Sequence, residues 1–148
     1  MTLTELKARV DEAEQGSWEL NWLVAEALDL QRFAVAQRIE RETQESIDAA
    51  GLTEHRIGRA RREAMYTLNR YTQSVDAALA LIEAKLPGYG FTVGRQAPEF
   101  KAEATLYGPA LPWPESTRLS DWKHAKHNDM VLAVISALLA ALIAKEQA

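Results

Sequence analysis

The stretch RYTQSVDAALALIEAKLPGYGFTVG, residues 70–94, contains the change of pattern that decides the fold. After Thr72 or Ser74, either of which can cap a helix, apolar residues recur at helical spacing for about three turns. The Pro-Gly pair at 87–88 then ends the helix, because proline lacks the backbone donor that a further turn needs. Beyond this pair apolar and polar residues alternate, which is typical of a half-buried strand. The stretch therefore predicts a helix followed directly by a strand.

The residues that follow predict the rest of a small sheet and its cover. In FKAEATLY, residues 100–107, every second residue is apolar, which indicates a second strand antiparallel to the first. A bare hairpin is marginal in water, so helices should cover its apolar face, and the candidates are 74–86 and 128–146. A short third strand could be added to the hairpin around Thr117–Trp122. The predicted class is α+β, mostly helical, with a small antiparallel hairpin sandwiched by helices and an N-terminal helical extension.

The first half of the chain carries helical patterns only. Thr2 and Glu5 fit a capping box, and Gly-Ser at 16–17 can end one helix and cap the next. A longer, charged helix is expected over 31–50, and another should begin after a cap at Thr53.

These patterns suggest two regions. We expect an N-terminal helical region, 1–70, to pack on a helix–hairpin–helix core, 71–148, so that the two form one compact unit.

Composition excludes several classes of function. Among the 148 residues there is no cysteine, so thiol catalysis and thiolate metal sites are excluded. The formal charge of −4 provides no general attraction for nucleic acid or anionic lipid. The longest apolar run, 130–144, is shorter than the roughly 20 residues that span a bilayer. The acidic N-terminus lacks the pattern of a secretory signal, so we expect a cytoplasmic protein that does not contact a membrane.

The segment RYTQSVDAALALI, the Gly/Pro turn, the strand pair and the Ala/Leu-rich closing helix resemble a family of small phage proteins. These are the proteins of tailed phages and proteobacterial prophages described as having a phage ABA sandwich domain. The opening LTELKARVDEAEQGSWELNWLVAEAL is similar to their leader helices. The resemblance implies a helix–hairpin–helix sandwich of phage or prophage origin, with no reaction and no catalytic residues attached.

A cluster of metal-ligand residue types occurs in DWKHAKHND, residues 121–129. If this segment is helical, Asp121, His124 and His127 lie three apart and can converge on a metal. The alternative is a solvated entrance to the last helix, capped by Asn128 or Asp121. Because spacings such as H-E-x-x-H are absent, we predict no metal site and keep His124 and His127 only as weak candidates. No cofactor is predicted.

The basic segment HRIGRARR, residues 55–62, supplies the first candidate binding residues, Arg56, Arg59 and Arg62. Arginines on a helix can contact phosphates, and the nearby Tyr66 can stack on a base. The alternative is a basic helix that faces solvent or a protein.

Two tryptophans near the Pro-rich connection, Trp113 and Trp122, are candidate interface anchors. The alternative is that they fold back over the hairpin as a lid on the core.

The favoured function is that of a non-catalytic phage or prophage accessory protein that binds a host or phage protein. Inhibition of a host function, such as a defence system, is one version. No nucleophile elbow, phosphate loop or paired carboxylate motif indicates an enzyme. The alternative is a nucleic-acid-associated protein that uses the basic helix 55–70.

The closing helix also predicts how the chain is assembled. Apolar residues surround almost its whole circumference, so the side away from the hairpin needs a cover. Helices over 3–13 and 18–30 can supply it within one chain, and a second copy is the alternative. Because those helices need apolar partners of their own, we favour a monomer over a homodimer.

Overall fold

The computed structural model describes residues 1–51, 56–108 and 122–147, with the backbone alone described at 56–59 and 61. The elements in chain order are α1 (Leu3–Glu12), α2 (Trp18–Leu28), α3 (Leu30–Ala49), α4 (Arg56–Met65), α5 (Val75–Lys85), β1 (Gly90–Gly94), β2 (Ala102–Tyr107), β3 (Trp122–His127) and α6 (Met130–Glu146). More than half of the chain is helical, and the described strands form one antiparallel sheet in the order β1-β2-β3. The predicted α+β class is confirmed.

Most helix ends follow the predicted local signals. Thr2 and Glu5 form the capping box of α1. Ser17 caps α2, and Ser74 caps α5, each by accepting a hydrogen bond from a backbone N–H three residues ahead. Gly51 follows α3 with a φ of 73°, a left-handed conformation that glycine adopts without strain.

The basic helix is shorter than predicted. It was expected over 55–70, but α4 ends at Met65. The next backbone bonds close shorter turns, and the guanidinium of Arg32 on α3 donates to the carbonyl of Thr67 at 3.2 Å. A side chain from a distant helix therefore takes the place of the next helical hydrogen bond. The cap expected at Thr53 lies outside the described residues.

A third strand, β3, pairs with β2 at one edge of the sheet. It was expected around Thr117–Trp122, of which only the last residue is described, and β3 begins there. The helical interpretation of DWKHAKHND is wrong for 122–127, which pair with β2 from Ala102↔His127 to Tyr107↔Trp122. The side chains of β3 alternate between the two faces of the sheet, and Ala125 is buried opposite the buried Ala104 of β2. Pairing with β2 overrides the local helical pattern.

Helix α6 forms the centre of the core. Its residues 132–139 are all buried, since β2 and β3 pack on one side and α1 packs on another. The buried Ser136 donates a 2.5 Å hydrogen bond to Asp11 of α1. Of the two helices that were expected to cover α6, α1 does so, whereas α2 packs mainly on α1, α3 and α4. The oligomeric state stays a prediction. Within the described ranges no helix is both long and apolar enough to cross a membrane.

A buried tyrosine joins the turn after α4 to the α2–α3 junction. Tyr71 is 1% exposed, and its hydroxyl donates a hydrogen bond to the carboxylate of Asp29. Asp29 also caps α3 by accepting from the Arg32 backbone N–H at 3.4 Å. Burial, and then the hydrogen bond to Asp29, raise the pKa of Tyr71 well above its ordinary value of 10.0.

We expect Tyr71→Phe to lower the free energy of unfolding by about 1.5–3 kcal/mol near neutral pH, because a buried hydrogen bond to a charged acceptor is lost. The raised folded-state pKa adds a pH dependence. The stabilisation that the protonated Tyr71 provides is complete below its ordinary pKa of 10.0. It is lost progressively as the pH rises from that value through the folded-state pKa. Urea unfolding at about pH 7 and about pH 11 measures both effects. Between these two pH values the free energy of unfolding should fall less in the variant than in the wild type. Equal falls would contradict this assignment.

Candidate functional site

One face of the sheet points away from α6, and we call it the outer sheet face. Antiparallel pairing aligns its side chains in rows across the strands, because residues directly opposite each other lie on the same face. Its members are Thr92 of β1, then Glu103, Thr105 and Tyr107 of β2, and Trp122, His124 and Lys126 of β3.

An aromatic pair lies at one end of the outer sheet face. The rings of Tyr107 and Trp122 are 5.0 Å apart between centroids and meet at 85°, an edge-to-face arrangement. Trp122 is 41% exposed although it is held by this contact. The hydroxyl of Tyr107 also lies 3.0 Å from that of Thr92. The pair is therefore fixed in orientation and accessible from outside.

Polar groups occupy the rest of this face. The Thr105 hydroxyl lies 2.8 Å from Nδ1 of His124. Beyond them Lys126 forms an ion pair with Glu103 at 3.2 Å, and both side chains are about half exposed. The two charges compensate each other, so the face combines an aromatic pair, polar side chains and one ion pair.

The structure separates the two histidines that were weak metal candidates. The prediction assumed a helix, in which residues three apart share a side, but in a strand they point to opposite faces. His124 lies on the outer sheet face, whereas His127 is 6% exposed and accepts a 2.8 Å hydrogen bond at Nδ1 from the Asp129 backbone N–H. Asp129 also caps α6, in place of Asn128 or Asp121. Across the described residues no three His, Asp or Glu side chains are grouped to hold a metal.

A second surface is a cavity of about 490 Å³ between α2, α4 and the turn that follows α4. We call it the aromatic–arginine pocket. Its lining consists of Trp18, Asn21, Arg62, Met65, Tyr66, Leu68, Arg70 and Gln73.

The floor of this pocket is a buried hydrogen-bond network. Asn21 is 2% exposed, and its carboxamide oxygen accepts from the backbone N–H of Thr72 at 2.8 Å and from the Thr72 hydroxyl at 2.6 Å. Its amide nitrogen donates to the Gln73 side-chain oxygen at 2.9 Å. The Ser17 backbone N–H donates to the Thr72 hydroxyl at 3.2 Å. Thr72, one of two predicted helix caps, instead fastens the turn before α5 to the start of α2.

The predicted binding residues divide between the two surfaces. Arg62 and Tyr66 line the aromatic–arginine pocket, and Trp122 belongs to the outer sheet face. The side chains of Arg56 and Arg59, and all of Trp113, lie outside what the structure describes.

The sequence interpretation missed Trp18 as a pocket residue. Trp18 and Trp22 are four residues apart, a spacing typical of helix packing. Of the two only Trp22 is buried, in edge-to-face contact with Phe33 at 5.0 Å. Arg70 also lines the pocket, and its place there depends on the turn after α4.

Comparison with protein-family models, with curated proteins and with solved structures finds no match. The resemblance to phage ABA sandwich proteins therefore stays a prediction from the sequence. Functional conclusions depend on the two surfaces themselves.

Proposed function

We propose that this chain is a non-catalytic protein that works by binding another protein through the outer sheet face. The observation that carries the proposal is the exposed and orientationally fixed pair Tyr107–Trp122. Tryptophan and tyrosine are enriched among the residues that contribute most to protein interfaces. A pair already held in place loses little side-chain freedom on binding.

The chemistry of the face specifies the partner surface. Thr105 and His124 already form a hydrogen bond, and Glu103 and Lys126 neutralise each other, so no strong charge attracts the partner. A matching surface places an apolar side chain against Trp122 and hydrogen-bonding groups against the hydroxyl and imidazole row. This combination is typical of an interface with an apolar centre and a polar rim.

The wider biological setting is part of the same proposal and is supported by the sequence resemblance. We propose a phage or prophage accessory protein in the cytoplasm, with a host or phage protein as its partner. Inhibition of a host defence system remains one version of that role.

A comparison of two exposed aromatic residues tests the proposal. Trp122→Ser removes the aromatic group from the outer sheet face, and Phe100→Ser removes one that is 54% exposed before β2. Immobilised wild-type chain and Phe100→Ser should retain the same protein from nuclease-treated bacterial lysate, while Trp122→Ser should lose it. Calorimetry with that purified protein should then show binding weakened about thirtyfold or more by Trp122→Ser, as expected for a central aromatic anchor.

Two results would refute this function. One is capture that disappears on nuclease treatment, which would indicate that nucleic acid mediates it. The other is equal affinity of the wild-type chain and Trp122→Ser for the purified partner, when Trp122→Ser and Phe100→Ser both retain the wild-type circular dichroism spectrum.

A further inference from the structure

We infer that the aromatic–arginine pocket binds a nucleotide unit, with its phosphate on the arginines and its base on an aromatic side chain. This site is separate from the outer sheet face and goes beyond the protein-binding function proposed above.

The charge of the pocket differs from that of the chain. The chain carries a formal charge of −4, yet the described residues that line the pocket include Arg62 and Arg70 and none that is acidic. A guanidinium is always charged and presents several donors in a planar fork, which matches phosphate oxygens. Both arginines are exposed residues that line the cavity, so they place positive charge at its surface. The pocket is therefore a local site for an anion on an acidic protein.

Aromatic groups line the same cavity. Tyr66 is 84% exposed, so its ring is open to the solvent beside the cavity. Trp18 is half-buried and Met65 contributes a further apolar wall. Nucleobases stack on such side chains whatever their sequence, because every base has a π face. An anion alone would not need these groups, so we assign the aromatic part of the pocket to a base.

The floor is ordered before a ligand arrives. Asn21 is held by Thr72 and donates to the side-chain oxygen of Gln73, which turns the Gln73 amide nitrogen away from Asn21. Gln73 itself is exposed and can donate to the edge of a base. The volume, about 490 Å³, lies within the range of roughly 300–1,000 Å³ that is usual for small-molecule sites.

A nucleotide unit can come from a free mononucleotide or from a single-stranded nucleic acid. The experiment therefore uses the full chain with two adenine probes, AMP and a fluorescent deoxyadenosine oligonucleotide of about twelve nucleotides. Inorganic phosphate serves as the competitor without a base. Fluorescence anisotropy measures the oligonucleotide, and calorimetry measures AMP.

Two pairs of variants separate the contributions of charge and ring. Arg62→Gln with Arg70→Gln removes the pocket charges, and Arg38→Gln with Arg41→Gln removes two exposed charges from α3. The pocket pair should weaken binding about tenfold or more, and the α3 pair should change it less than threefold. Tyr66→Ser should also weaken binding about tenfold, whereas Tyr66→Phe, which retains the ring, should preserve it.

Binding of AMP within tenfold of the oligonucleotide supports a free nucleotide as the ligand, and binding of the oligonucleotide alone supports a single strand. The inference is overturned if neither probe binds, if phosphate competes as well as AMP, or if the α3 pair weakens binding as much as the pocket pair.

Discussion

Replacing Gly16 by alanine is expected to lower the free energy of unfolding by about 3 kcal/mol or more. A Cβ atom at this position would lie 1.7 Å from the carbonyl oxygen of Thr72 and 2.5 Å from its carbonyl carbon. Both are backbone atoms, so the clash can be relieved only by separating the α1–α2 turn from the segment before α5. That separation would break the hydrogen bond between Ser17 and Thr72 and disturb the bonds of Thr72 to Asn21. Urea unfolding followed by circular dichroism measures the loss.

Gly94→Ala is the matched control for this experiment. Gly94 ends β1 without a positive φ, and a Cβ there would meet no atom within 4 Å. Its effect should stay within about 0.5 kcal/mol. Similar midpoints for the two variants would show that the approach of Gly16 to Thr72 is not a constraint on the fold.

Gly16 also shows what could be predicted from the sequence. Gly16 and Ser17 were expected to separate two helices, and they do, because a cap and a break act within one turn of the chain. The contact with Thr72 could not be predicted, since it joins residues 55 or more positions apart. Local signals located the helix ends, but the reason why only glycine fits at residue 16 is tertiary.

Strand β3 shows the opposite case, in which local signals were misleading. DWKHAKHND contains residues compatible with a capped helix, and the nearby helix α6 favoured that interpretation. Residues 122–127 form a strand because Ala125 and His127 are buried when they pair with β2. An interaction between segments separated by a long connection decided the outcome, and single-sequence periodicity does not measure it.

The candidate sites could be predicted only in part, because some of their contacts join elements that are distant in sequence. Arg62 and Tyr66 lie four residues apart on a helical pattern, so their proximity followed from sequence. Their association with Trp18 required the packing of α2 near α4, and the contact of Trp122 with Tyr107 required the β2–β3 register.

Replacing both buried residues of α1 with aspartate is expected to cause the largest loss of all. Leu6 is 1% exposed and Val10 is 0% exposed, and they belong to the core that α1 shares with α6. Leu6→Asp with Val10→Asp places two carboxyl groups where no hydrogen-bond partners were provided. The combined cost should be at least about 4 kcal/mol, a large part of the roughly 5–15 kcal/mol that stabilises a typical domain. Displacement of α1 would expose the apolar face of α6, so we expect aggregation.

Light scattering of the purified chains tests this expectation together with the monomer prediction. The control is Thr4→Asp with Ala8→Asp, which adds the same two charges at the same spacing on the exposed side of α1. Wild type and control should both scatter as monomers of 16.5 kDa, while the Leu6, Val10 variant should form large aggregates or remain insoluble. A wild-type chain that is a stable dimer, with the variant a soluble dimer as well, would contradict both predictions. That outcome would mean that a second copy, and not α1, shields α6 from water.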